Sequence, residues 1–85
     1  METNPRLKAL ILEVVNNQLT ANDPPQTRQT YERLLASGMD DEEARRLIGC
    51  VVVSEVFAIL KNQESFDLAR FVGALERLPK LPWEK

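Results

Sequence analysis

The sequence predicts an all-α fold, a compact four-helix bundle whose third helix is hydrophobic and central. Apolar residues recur at helical spacing in four segments, and capping or turn residues separate these segments. The third segment contains the most apolar stretch, Leu47 to Leu60, in which only Ser54 and Glu55 carry polar side chains. Because such a helix is apolar on every side, other helices must cover it.

The first helix is predicted from about Pro5 to Ala21. Asn4 can cap its first amides, and proline at the first helical position loses no hydrogen bond. The helix has a wide apolar arc that also contains Lys8 and Gln18. The apolar members of this arc are Leu7, Leu10, Ile11, Leu12, Val14, Val15 and Leu19.

The second helix is predicted from about Pro24 to Ala36, with Asp23 as its capping residue. Arg28 and Glu32 lie four residues apart on its polar side, where they can form an ion pair. Its apolar stripe is narrow, so we expect a peripheral helix. The stripe consists of Thr27, Tyr31, Leu34 and Leu35.

The third helix is predicted from about Asp41 to Asn62. Gly38 can adopt the left-handed backbone that ends the preceding helix, and Asp40 with Glu43 resembles a capping box. Three consecutive valines favour a strand, but the caps and the length of the segment favour a helix.

The fourth helix is predicted from about Phe66 to Leu78, with Ser65 as its cap and Pro79 after its end. Residues 1–78 are therefore predicted to form a single bundle domain, and residues 79–85 a proline-containing tail. Trp83 in this tail is predicted to pack against its own bundle or a second subunit. The alternative is that Pro79 and Pro82 form an extended motif read by a partner.

The composition excludes several classes of function. The 85 residues carry a net charge of -2, which removes the electrostatic drive for binding nucleic acid. No apolar run reaches the roughly 20 residues that a membrane span requires. Cys50 is the only cysteine, and the first residues do not resemble a secretory signal, so we expect a cytoplasmic protein without a disulfide.

No motif for catalysis or for a cofactor stands out. The chain has no histidine to act as a base or metal ligand, and its three glycines are too scattered for a phosphate-binding loop. The sequence therefore predicts no enzymatic activity, no catalytic residue, no metal and no cofactor.

Glu55 is the most informative single charge, because its neighbours one helical turn away are apolar. We expect an ion pair with Lys8, which lies within the apolar arc of the first helix. The alternative is a small-ligand or degenerate metal site centred on Glu55, with a raised carboxyl pKa as its signature. Gln18 and Tyr31 would complete such a site.

The apolar surface exceeds what three short partner helices can cover, which predicts a homodimer. The first and third helices, with the tail, are the expected contact. Its candidate residues are Leu12, Val15, Leu19, Val53, Phe57 and Trp83.

Several short motifs together resemble a family of small, all-helical bacterial proteins of unknown function. They are Asn4-Pro5-Arg6-Leu7, Gln18-Leu19, Pro24-Pro25, Leu34-Leu35 with Gly38, and Glu43-Ala44. The family often has histidines at the positions of Lys8, Leu12 and Arg46, which are not histidine here. The resemblance implies an all-helical bacterial protein and supplies no activity. The predicted function is therefore a non-enzymatic helical interaction or assembly module that self-associates, whose further protein partner is unknown.

Overall fold

A computed structural model of the chain describes residues 5–84, which form four α-helices. They are α1 (Pro5–Ala21), α2 (Pro25–Ala36), α3 (Asp41–Asn62) and α4 (Leu68–Arg77). No strand occurs within residues 5–84, and the three consecutive valines are helical. The predicted all-α four-helix fold is confirmed.

The ends of α3 follow from its capping residues. The Asp40 side chain accepts a hydrogen bond from the backbone N–H of Glu43 at 2.8 Å, and Gly38 adopts a φ of +100° after α2. The Glu43 carboxylate binds Arg46 instead of returning to the Asp40 backbone, so only half of the predicted capping box forms. Caps of this kind satisfy amides that a helix leaves unpaired.

Two predicted caps need correction. The cap of α4 is Asp67, whose side chain accepts from the backbone N–H of Arg70 at 3.0 Å, so α4 begins later than a Ser65 cap implied. Pro24 occupies the N-cap position of α2, and no side chain caps the helix there. The prediction that Asp23 caps α2 is therefore wrong. Asn4, the predicted cap of α1, lies outside the described residues.

The helices pack around α3, which contacts each of the other three. Ile11 of α1 lies over Gly49, where an added Cβ would approach the Ile11 Cγ2 to 3.1 Å. Asn16 accepts a hydrogen bond from Arg45. Since lower numbers in α1 meet higher numbers in α3, these two helices run antiparallel.

Helix α2 is not peripheral, because it contacts α1, α3 and α4. The fully buried Thr27 donates its hydroxyl to the Gln18 side-chain oxygen at 2.8 Å. The Arg33 guanidinium donates to the backbone oxygens of Leu75 and Leu78 at 3.0 and 2.9 Å, at the end of α4. The predicted stripe underestimated α2 because it left out Thr30, which is also buried, and because Arg33 bonds to the end of α4.

The core lies between the four helices and extends to the start of the tail. Leu81 packs against it, whereas Trp83 is 60% exposed. No helix within residues 5–84 combines the length and apolarity needed to cross a membrane. The buried apolar residues are Val15, Leu19, Leu34, Ala44, Leu47, Ile48, Val51, Val52, Phe71, Ala74, Leu75 and Leu78.

Candidate functional site

The described residues leave several large apolar side chains exposed. They come from α1, the second half of α3, the start of α4 with the residues before it, and the tail. The two most exposed are Leu60 at 71% and Phe57 at 66%. Single exposed apolar residues are ordinary, but a contiguous group is a candidate interaction surface.

We use the name α1–α3 apolar face for the exposed apolar residues of α1 and of the second half of α3, taken together. Ile11 marks the closest approach of the two helices, over Gly49. The exposed residues of α1 neighbour Ile11 along the helix, and those of α3 follow Gly49 at four, seven, eight and eleven positions. The face consists of Leu7, Leu10, Val14, Val53, Val56, Phe57 and Leu60, of which Val53 is half-buried and the others are exposed.

The burial pattern of α3 explains why this face is bare. Its buried positions from Ala44 to Glu55 follow a helical stripe that faces the other helices. The half-buried Val53 and the exposed Phe57 lie on the other side of α3 from the buried Val51 and Glu55. An exposed aliphatic or aromatic side chain leaves on the order of 100 Å² to water, so the face presents roughly 600 Å² of apolar surface.

Some of the residues predicted for a dimer contact are exposed in the structure, and others are buried or half-buried. Val15 and Leu19 are buried inside the protomer, so they cannot form an intermolecular contact, and Leu12 is half-buried. Helix α1 instead exposes Leu7 and Leu10. Helical spacing defined the width of the apolar arc in α1 but not which part of the arc faces α3.

Trp83 lies on a different side of the molecule. Its neighbour Pro82 lines a cleft with Val51 and Ala58 of α3. Those two residues lie on the side of α3 opposite to Val53. Trp83 is therefore exposed but does not belong to the α1–α3 apolar face.

Glu55 is the buried charge that the sequence singled out, and it is only 6% exposed. One carboxylate oxygen accepts from Nε of Arg70 at 2.9 Å, and the other accepts from Nη2 of Arg70 at 2.8 Å and the Asp67 backbone N–H at 3.1 Å. Arg70 also binds Glu64 at 2.8 Å. The predicted ion pair between Glu55 and Lys8 is wrong, because Arg70 is the partner of Glu55 and Lys8 is exposed.

The electrostatics of Glu55 also differ from those of a catalytic base. The hydrogen bonds from Arg70 lower the pKa of the Glu55 carboxyl and outweigh burial, which acts in the opposite direction. A raised pKa was the expected sign of a ligand or acid–base role. Glu55 instead fastens the start of α4 to α3.

The other residues predicted for a ligand site lie apart from Glu55. Gln18 bonds to Thr27, between α1 and α2. Tyr31 donates its hydroxyl to Asp41, which raises the pKa of the tyrosine, and its ring lies under the Arg45 guanidinium. These contacts join helices, and they leave no common site for Gln18, Tyr31 and Glu55.

A cleft of about 190 Å³ lies beside Glu55, between α3, α4 and the tail. Glu55 and Arg70 both line this cleft, and the Glu55 oxygens accept their hydrogen bonds from Arg70 and the Asp67 backbone. Within residues 5–84 no three side chains of the metal-binding types cluster together. Comparisons with protein-family models, curated proteins and solved structures found no match to this chain.

Proposed function

We propose that the protein is a non-enzymatic helical interaction module that self-associates through the α1–α3 apolar face. The observation that carries this proposal is the bare second half of α3, with Phe57 and Leu60 about two-thirds exposed or more. Large apolar side chains exposed on one side of a helix are typical of a protein contact.

The area of the face supports a second copy of the chain as the occupant. Two faces of roughly 600 Å² each bury about 1,200 Å² in total, at the lower end of the range for specific, stable interfaces. Phe57 supplies a large aromatic side chain, and the rest of the face is aliphatic. Dimerisation also adds buried apolar area to a chain that is too short to bury much by itself.

The polar residues support a structural role better than a ligand-binding one. Glu55, Gln18 and Tyr31 each use their polar atoms in contacts between helices or with the α3–α4 connection. These polar atoms therefore have partners within the protein, and the contacts hold the helices together. The proposal therefore assigns no substrate and no cofactor.

We place this module in the bacterial cytoplasm as part of the proposal. Cys50 is half-buried, and burial raises the pKa of its thiol, so the protonated form is favoured. A single thiol that stays protonated suits a reducing compartment. The bacterial origin rests on the family resemblance alone.

The test compares two aromatic residues of similar exposure, of which only one belongs to the face. Phe57→Glu places a charge in the proposed contact, whereas Trp83→Glu places one outside it. We expect sedimentation to show a dimer for the natural chain and for Trp83→Glu at micromolar concentration. Phe57→Glu should raise the dissociation constant roughly 30-fold or more.

Circular dichroism is the accompanying measurement, because an unfolded variant would also fail to dimerise. The exposed Phe57 side chain contributes little to the protomer core, so the helical signal should persist. A natural chain that sediments as a monomer would refute the proposal. Equal dimerisation of Phe57→Glu and the natural chain would exclude this face.

A further inference from the structure

We infer that the cleft beside Glu55 binds a small monocarboxylate with a short apolar body, and that Arg77 recognises its carboxylate. This goes beyond the proposed function, since the Val51 and Ala58 side of α3, which lines the cleft, is opposite to Val53. The size of the cleft, its apolar walls and the charges around it support this class of ligand.

The cleft is small and partly open to solvent. Its volume is about 190 Å³, and residues of α3, α4 and the tail form its walls. Since a water molecule takes about 30 Å³ in the liquid, the cleft has room for about six waters or a ligand of about six non-hydrogen atoms. Drug-sized ligands and most cofactors occupy pockets of roughly 300 to 1,000 Å³, so they would not fit.

The walls of the cleft are mainly apolar. Val51, Phe71 and Ala74 belong to the core and are only 1%, 2% and 7% exposed. Ala58 and Pro82 are half-buried and complete the apolar lining. A short hydrocarbon body would cover the apolar surface that remains open here, and the removal of that surface from water favours binding.

Three charged residues line the cleft, and two of them are paired with each other. Glu55 accepts from Nε and Nη2 of Arg70, and Nη1 of Arg70 donates to Glu64. Arg77, by contrast, forms no ion pair within residues 5–84. The guanidinium of Arg77 is therefore the cation of the cleft that is able to take up an anion.

The Arg77 side chain lies back along α4. Its Nη1 is 3.6 Å from the position that a Cβ on Gly73 would occupy, one helical turn earlier. Long side chains in a helix ordinarily take this direction. A guanidinium can bind a carboxylate through two parallel N–H bonds, and Ser54 adds a hydroxyl on the α3 side of the cleft.

The balance of charge favours a ligand with a single negative charge. One carboxylate and two guanidiniums line the cleft, which leaves one positive charge in excess. A monocarboxylate compensates for that excess. A dicarboxylate or a phosphate dianion would bring a second negative charge close to Glu55, which is unfavourable.

NMR titration of the natural chain tests this ligand class. Butyrate is the probe, and butyramide, which has a similar shape but no charge, is its matched control. The amide signals of Ser54, Ala58 and Ala74 report on the cleft, and sodium chloride at equal concentration corrects for salt. We expect butyrate to shift these signals with a dissociation constant on the order of 1 to 10 mM. Butyramide should bind at least roughly fivefold more weakly, because it cannot form the ion pair with Arg77.

Three variants locate the binding site. Arg77→Gln removes the charge and should weaken butyrate binding roughly fivefold or more. Arg28→Gln, on the exposed side of α2, is the matched control and should bind butyrate like the natural chain. Ala58→Leu fills part of the cleft and should abolish the shifts. The dispersion of the amide signals shows whether each variant is folded.

The failures are equally distinct. If butyrate gives no saturable shift up to roughly 50 mM, the ligand class is wrong. Equal binding of butyrate and butyramide, or of butyrate to the natural chain and to Arg77→Gln, would refute recognition by Arg77. Shifts that persist in a folded Ala58→Leu variant would show that the probe binds outside the cleft.

Discussion

At the residue scale, Glu55 shows how a small core accommodates a charge. Its carboxylate receives two hydrogen bonds from Arg70 and one from the Asp67 backbone, which together compensate for the loss of water. Asp67 in turn caps α4 through the backbone N–H of Arg70. Three residues therefore fix the beginning of α4 against α3.

Replacing Glu55 with glutamine should weaken the fold in a pH-dependent manner. The variant keeps the volume but loses the charge that faces Arg70, so we expect a loss of about 1 to 2 kcal/mol in the free energy of unfolding at pH 7. In the natural chain, the lowered pKa of Glu55 means that its contribution is complete above the unfolded-state pKa. The contribution is lost as the pH falls through the lower, folded-state pKa.

Urea unfolding at pH 7 and at several values below pH 4.5 measures this difference, since glutamate in an unfolded chain has a pKa of about 4.3. The stability of the natural chain and of Glu55→Gln should converge as the pH falls. Glu13→Gln on the exposed side of α1 is the control and should change little at any pH. A constant gap between Glu55→Gln and the natural chain would contradict the ion-pair role.

The importance of Glu55 could be inferred from the sequence, but its partner could not. Apolar neighbours one turn away placed Glu55 on a buried face of α3, and a buried carboxylate requires a partner. Which cation reaches it depends on the path of the α3–α4 connection. That path places Arg70 beside Glu55, whereas Lys8 stays exposed. Helical spacing within α1 and α3 contains no information about this connection.

At the scale of helices, two glycines in similar positions should respond differently to alanine. Alanine is favoured over glycine inside a helix by about 1 kcal/mol. At Gly73 the new Cβ would meet Arg77 at an ordinary distance of 3.6 Å, so Gly73→Ala should stabilise the fold by about 0.5 to 1 kcal/mol. At Gly49 the new Cβ would lie 3.1 Å from Ile11, which offsets the gain.

Thermal and urea unfolding of both variants test this close approach of α1 to α3. We expect Gly49→Ala to be less stable than Gly73→Ala by about 1 kcal/mol or more. The same Gly49→Ala change in an Ile11→Ala background should lose its penalty, because the contacting Cγ2 is then absent. Equal effects at the two glycines would show that α1 does not constrain position 49.

The helix boundaries were predictable where a second signal supported the cap. Asp40 has Glu43 three residues later, the spacing of a capping box, and the predicted start of α3 was correct. Before α4, both Ser65 and Asp67 are able to cap. Asp67 does so in the structure, and its backbone N–H is also held by Glu55, a contact between helices that local sequence does not reveal.

At the scale of the whole molecule, the fold class followed from patterning, but the surface did not. Four segments with helical spacing were enough to predict a helical bundle. The arc of α1 was too wide to show which side meets α3, so Val15 and Leu19 were wrongly expected at the surface. The α1–α3 apolar face is visible only after the helices are packed.

Self-association should make the thermal stability depend on protein concentration. Because dimerisation stabilises only the folded state, the midpoint temperature should rise by roughly 3 to 6 °C for each tenfold increase in concentration. Scanning calorimetry over two decades of concentration measures this slope. Phe57→Glu should show almost no slope, and a flat response of the natural chain would contradict dimerisation of the folded protein.

Helices α1 and α4 bring no two Cα atoms within 8 Å of each other in residues 5–84, whereas each of them packs against both α2 and α3. The backbones of the first and last helices are therefore connected through the middle of the sequence. A displacement of α1 is expected to reach the tail by way of α2 and α3.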